Sequence, residues 1–274
     1  MLSVNTNAGA LIALENLNNT SQQLAAAQNV VSTGLLVGNA KDNGAIWSIA
    51  QSERSDVSDL DAVKSSLQTG QSIIDVANSA GTTVSNLLTQ MSQKALAASD
   101  TSLDTASRAA LNNDFVALRN QITSTVQNAS FNGVNLLNGS VAKITSLANA
   151  QGTSVLTTNA ENLSLSGTIV TLSATATIST VATAQAAITV VNVSLQNVDN
   201  ALATLGTASG ALDTHLNFVS SLQDTLTTGI GNLVNADLAK ESATLQALQT
   251  KQQLGIQALS IANSSSSALL GLFR

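Results

Sequence analysis

The chain has 274 residues and is far from average: 9 % charged, 44 % hydrophobic, 2 % aromatic, with a net charge of −6. Its ten basic residues lie scattered, which excludes the clustered Lys and Arg that nucleic acid needs. With no cysteine and one histidine, His215, there is almost no raw material for thiol nucleophiles, metal centres or a Ser-His-Asp triad.

The sequence therefore reads as no enzyme, with no catalytic, cofactor-binding or metal-ligating residue. Ordinary soluble proteins carry about 25 % charge. Here Ser, Thr, Asn and Gln make up the deficit, giving a polar surface with little self-repulsion. Such a surface suits burial against its own kind, because charge is depleted in interface cores.

In chain order, the first helix is expected from about Thr6 to Thr33. Ala10, Leu17, Leu24 and Val31 fall seven apart, with Ala13, Thr20, Ala27 and Gly34 as the companion row, a narrow seam of small residues. Gly34, Gly38 and the turn-prone run 39–44 stop it. Trp47 follows, expected as a core or interface anchor in a separate segment from Ala45 to Val57. A second long helix is expected from Asp56 to Ala98. Its rows are Leu60, Leu67, Ile74, Gly81, Leu88, Ala95 and Val63, Gly70, Ala77, Val84, Met91, Ala98. Asp56, Asp59 and Asp61 would then stand at a helix start, where the dipole favours acids.

The run from Asp100 to Asp104 is a break rich in capping residues. A third helix then reaches about Asn128, with a broader face made of Leu111, Phe115, Leu118, Ile122, Val126 and Ala129. Phe131-Asn132-Gly133 and Asn138-Gly139 are turn signals. In the middle, Val170, Leu172, Ala174, Ala176 and Ile178 alternate with Thr and Ser, the period of a strand with one buried face. Leu163 and Leu165 alternate in the opposite phase, which places a bulge or turn at Gly167; shorter β runs are expected near 141–147 and 155–158.

The longest signal runs from Ile188 to Leu233. Steps of three and four give Ile188, Val191, Leu195, Val198, Leu202, Leu205, Ser209, Leu212, Leu216, Val219, Gln223, Leu226, Ile230 and Leu233, twelve of the fourteen aliphatic. A heptad held that long is a helix buried along one seam, on the order of 70 Å in length. The seam changes phase near Asn235, a joint before a final helix from Asp237 to Leu270. Its rows are Leu238, Leu245, Leu259 and Leu248, Ala262, Leu269.

The pattern predicts a mainly α fold, with long antiparallel helices forming a rod-like coiled-coil bundle and a small β-hairpin region at mid-chain. The two ends pair with each other. The uncharged stretch between Glu161 and Asp199 is interrupted by Ser or Thr too often to span a membrane, and no Sec-type signal peptide is visible at the N-terminus.

Five motifs in order now carry a resemblance. Val4-Asn5-Thr6-Asn7, Ser32-Thr33-Gly34-Leu35, Ala40-Lys41-Asp42-Asn43, Phe131-Asn132-Gly133-Val134 and the tail from Asn235 through Leu259-Ser260-Ile261-Ala262-Asn263 to Leu272-Phe273-Arg274 resemble those of bacterial flagellins, in a short form without large outer domains. The resemblance implies five segments. Residues 1–40 and 234–274 would be the halves of an inner-tube coiled coil. Residues 41–140 and the strut helix 183–233 would form the helical wall, and 141–182 a small β region at the tip.

It further implies a subunit that polymerises into the extracellular filament used for swimming, without cofactors. Expected partners are further copies of itself and sister flagellins, the type III flagellar export apparatus, an export chaperone and hook-associated proteins, with no nucleic acid and no membrane. The alternatives are a hook–filament junction protein or another secreted helical rod such as an adhesin. Leu17, Leu24, Val31, Leu238, Leu245, Leu248, Leu259, Ala262 and Leu269 are the expected subunit-interface residues. Thr171, Ser173, Thr175 and Thr177 are the expected sites of O-glycosylation.

Overall fold

A computed structural model describes residues 6–271, with side chains as far as Ser264. Its elements are α1 (Ala8–Thr33), α2 (Gly44–Ala98), α3 (Thr105–Asn128), β1 (Lys143–Leu147), β2 (Val155–Asn159), α4 (Val181–Val234) and α5 (Leu238–Gly271). The chain divides into two compact units, one of residues 1–55 with 225–274 and one of residues 56–224.

The core of the second unit is the pair α2 and α4. All twelve positions of the two α2 rows are buried, as the heptad requires. Along α4, thirteen of the fourteen seam positions are buried or half-buried; Leu233 is exposed, and Val234 is the buried residue at that end. Polar side chains flank the seam: Gln71 Nε2 donates to Ser209 Oγ at 2.7 Å, Ser85 Oγ to Asp199 Oδ1 at 3.2 Å and Ser92 Oγ to Asn192 Oδ1 at 3.1 Å. Numbers rise on one helix as they fall on the other, so the pair is antiparallel. A Cβ on Gly81 would lie 2.6 Å from Leu202 Cδ2, so at this level the Leu202 side chain packs directly on the α2 backbone.

α3 is fastened to α2 at its start. The Arg108 guanidinium donates to the carbonyls of Ala98 and Asp100 at 3.0 and 2.8 Å, satisfying carbonyls that the end of α2 leaves open. Lys94 Nζ meets Asp114 Oδ2 at 2.7 Å. Asp104 caps α3, accepting from Ser107 N–H at 2.6 Å, and that bond holds its carboxyl below the ordinary carboxylate range.

The β1–β2 hairpin pairs antiparallel, with Thr145 opposite Thr157. It is seated on both long helices: Leu147 N–H donates to Ser66 Oγ at 3.0 Å, and His215 Nε2 lies 2.7 Å from the Ala148 carbonyl. His215 is thus a structural tie, half-buried and packed on Phe218 with ring centroids 5.7 Å apart. A Cβ on Gly70 would run into Ser146 Oγ and touch Leu212 Cδ1, so β1 packs closely on α2 at this glycine and a branched side chain there would displace both neighbours. Gly70→Val is therefore expected to destabilise this unit by about 1–3 kcal/mol through overpacking, read as a lower midpoint in urea.

Three sequence expectations are corrected. Residues 170–178 form no strand. Val170, Leu172 and Ile178 are buried as the alternation implied and Ala174 is exposed against it, and the backbone groups of this stretch are met by side chains and by local turn bonds instead of a neighbouring strand. Thr171 N–H donates to Ser194 Oγ, Ile178 N–H to Asn112 Oδ1 and Ala174 N–H to Ser166 Oγ, while the carbonyls of Ile169 and Ala176 accept from Asn197 and Arg119. Gly167 does mark a turn, its N–H donating to the Ser164 and Val170 carbonyls.

Second, Ala45–Val57 is not a separate segment but the beginning of α2. Asn43 Oδ1 accepts from Ile46 N–H, so the helix starts at Gly44. Third, Asp56, Asp59 and Asp61 consequently stand inside a helix and not at its positive end; Asp61 Oδ1 accepts from Gln223 Nε2 at 2.7 Å.

Candidate interaction surface

α1 and α5 pack against each other in the first unit. Asn7 Nδ2 donates to the Ala262 carbonyl at 2.8 Å, Leu17 lies beside Gly255, and Gln252 Nε2 donates to Ser21 Oγ at 3.3 Å, an antiparallel register. Every position of the α1 rows, from Ala10 to Gly34, is buried or half-buried. On α5 the half-buried positions recur at Glu241, Leu245, Leu248, Gln252, Gly255, Leu259 and Ala262, again a heptad.

The two helices break at the same level. Gly34 caps α1 in the left-handed region (φ 73°), its N–H bonded to the Val30 carbonyl. The Ala236 N–H reaches back to the Gly34 carbonyl at 2.9 Å, the Leu36 N–H reaches the Val234 carbonyl at 2.7 Å, and Leu35 bridges Asn235. The following loop is closed by Asp42, whose Oδ2 accepts from Gly38 N, Asn39 N and Asn39 Nδ2. The joint expected near Asn235 is thus matched by a second break, each using the other's open backbone groups.

The pairing leaves much uncovered. Only Thr20, Leu24 and Ala27 are fully buried on α1, and no described side chain of α5 is. Leu11, Ile12 and Leu14 on α1 and Leu238, Leu254, Ile256 and Ile261 on α5 are 43–69 % exposed. Leu254 and Ile261 are seven apart, a second apolar stripe beside the seam. This unit also carries five acidic and five basic residues, whereas the other carries eleven and five. Its surface is apolar in stripes and neutral in sum, with little long-range repulsion to keep copies apart.

Of the interface residues read from the sequence, Leu17, Leu24, Val31, Leu245, Leu248, Leu259 and Ala262 come together along the α1–α5 seam within one chain. Leu238 stands exposed, and the side chain of Leu269 lies outside the described residues. The outward Leu11, Leu14, Leu254 and Ile261 were missed, because one heptad marks one seam.

Asn7 was also missed as a working residue. Its Oδ1 caps α1 through Ala10 N–H at 3.1 Å while its amide ties α5. Asn7→Ala is expected to cost about 1 kcal/mol for the cap, with the lost tie added, and to speed amide exchange in the first turn of α1.

Thr171, Ser173, Thr175 and Thr177 are all exposed. Thr171 Oγ1 is engaged with Ser194 Oγ at 3.2 Å and Ser173 Oγ with Thr175 Oγ1 at 3.1 Å. Among the described residues there is no group of three or more His, Cys, Asp or Glu able to hold a metal, and no helix long and apolar enough to cross a membrane.

Comparison with known proteins places this arrangement. A family model described as the bacterial flagellin N-terminal helical region matches residues 4–142, and one described as the C-terminal helical region matches 188–273. The chain is 56 % identical to Flagellin FljK of Caulobacter vibrioides over 272 residues, covering 99 % of this chain and 98 % of that one. To the flagellin of Brucella melitensis it is 36 % identical over 283 residues, with both chains fully covered. A solved structure described as a flagellar hook-associated protein from Vibrio parahaemolyticus shares the fold, with a TM-score of 0.60 at 14 % identity over 71 % of this chain and all of that one. Matched by the family at both helical ends and over nearly its whole length by these relatives, the chain belongs to the bacterial flagellins.

Proposed function

We propose that the apolar stripes of α1 and α5 outside their mutual seam are where one copy joins the next. As a flagellin, the chain is a structural subunit of the extracellular flagellar filament that drives swimming, and it is not an enzyme. The observation that carries the proposal is the poverty of burial in the terminal pair: α5 has no fully buried described side chain, against ten in the α2 rows. Ordering a backbone costs roughly 1–2 kcal/mol per residue. A pair of helices buried on one narrow seam offsets little of that, so neighbouring copies must supply the rest.

In this reading residues 1–40 and 234–274 form the inner tube, 41–140 and 183–233 the wall, and 141–182 the outer tip. Seeded growth tests it. Purified chain added to short filament fragments should lengthen them continuously; a protein that adds one layer and stops would be a junction protein instead.

The same family membership supports export through the flagellar type III apparatus, with a chaperone on α5 beforehand, and assembly beside sister flagellins and hook-associated proteins. A chain ending before Leu238 should then fail to pull down its chaperone; retention at full strength would place the contact elsewhere. The exposed Thr171, Ser173, Thr175 and Thr177 support O-glycosylation of this region. An intact mass from native filaments equal to that of the bare polypeptide would end that idea.

A further inference from the structure

The chain contains three Asn–Gly pairs, Asn43–Gly44, Asn132–Gly133 and Asn138–Gly139. This dipeptide has a reaction of its own. The glycine backbone nitrogen attacks the asparagine Cγ and gives up its proton, ammonia leaves, and a five-membered succinimide forms. Water then opens the ring at one carbonyl or the other, giving aspartate or isoaspartate. Water is the only co-reactant, and glycine favours the attack because no side chain hinders its nitrogen. What folding controls is whether the amide and the following N–H are free to meet.

Two of the pairs are held. Asn43 Oδ1 accepts from Ile46 N–H at 3.2 Å and its carbonyl from Trp47 N–H at 2.9 Å, so freeing it means unwinding the first turn of α2. Asn138 Oδ1 accepts from Ser140 N–H at 2.9 Å, and its own N–H donates to Asn135 Oδ1 at 3.1 Å. It also follows directly on the fully buried Leu136 and Leu137.

Asn132 differs on each count. It and Gly133 are exposed, and the Asn132 side chain makes no hydrogen bond among the described residues. The two occupy the left-handed region, with φ of 50° and 78°, as the central residues of a two-residue turn. That turn is closed only by the Phe131 and Val134 backbone bonds, at 3.0 and 2.9 Å. Beyond it the chain is anchored independently, by Asn135 Nδ2 on the Val126 carbonyl at 2.7 Å. The turn can therefore open alone, and opening lets Asn132 swing towards the extended backbone that ring closure requires.

We propose that Asn132 is a site of spontaneous succinimide formation, and the first of the three Asn–Gly pairs to convert in the folded protein. Both products add a negative charge to the more acidic unit. Aspartate tolerates the left-handed conformation and keeps the turn. Isoaspartate lengthens the backbone by a methylene and breaks the Phe131–Val134 pairing.

The test is a timed incubation of the full-length chain at mildly alkaline pH, folded and in concentrated urea, with peptide mass mapping and enzymatic methylation to count isoaspartate. In the folded sample Asn132 should convert at least about tenfold faster than Asn43 or Asn138, reflecting the cheaper local opening; in urea the three should be similar. Folded-state conversion of Asn43 or Asn138 as fast as Asn132 would overturn the proposal. So would an Asn132 that stays intact while the urea sample converts fully.

Discussion

A chain with lysine at both 254 and 261 is expected to keep its α1–α5 pair and yet fail to lengthen filament fragments. Leu254 and Ile261 are 60 % and 69 % exposed, so in a single copy each lysine lays its stem along the helix and keeps its ammonium in water. Surface changes of that kind usually stay within about ±0.5 kcal/mol. At a joint between copies the balance reverses. Each position forfeits roughly 1.5–3 kcal/mol of apolar burial, and an unpaired ammonium would have to be desolvated as well. A loss of about 3 kcal/mol already raises the dissociation constant more than a hundredfold. Circular dichroism of the dilute chain should be unchanged while the critical concentration rises by at least that factor. Growth at the original concentration would show that these side chains face solvent in the filament.

Phe115→Ala should be the most damaging single truncation in the other unit. Phe115 is fully buried on α3, and it stands between Asn112 and Arg119, which hold the backbone at Ile178 and Ala176. Removing the ring empties a fully buried site on the face of α3 that carries those two anchors, at an expected cost of about 3–5 kcal/mol. Urea unfolding of the variant measures it directly. A loss under about 1 kcal/mol, the size of an ordinary point change, would mean that the surrounding side chains close over the gap.

What was legible in the sequence was whatever one helix imposes on its own residues. The α2 rows, the α4 seam and the α1 seam follow from seven-residue spacing alone, and every position but Leu233 is buried or half-buried where the spacing put it. Residues 170–178 show the limit. Of the five side chains their alternation placed on a buried face, Val170, Leu172 and Ile178 are buried, Ala176 is half-buried and Ala174 is exposed, and strand or loop depends on where the backbone bonds go. Those partners, Asn112, Ser194, Asn197 and Arg119, lie on α3 and α4, and no local pattern reveals them.

The start of α2 was hidden differently. Asp56, Asp59 and Asp61 imitated the acidic first turn of a helix, while the true start, capped by Asn43, lay in a run that read only as a turn. At the interaction surface, spacing identified the seam that the chain closes for itself. The flank it leaves open, with Leu11, Leu14, Leu254 and Ile261, became visible only as apolar side chains with nothing over them.

Whether copies complete one another through their ends is answered most directly by electron microscopy of seeded reactions with the intact chain and with one lacking residues 1–30 and 245–274. The intact chain should extend the seeds into long filaments, and the trimmed chain should leave them at their starting length. Ordinary filaments grown from the trimmed chain would contradict the account.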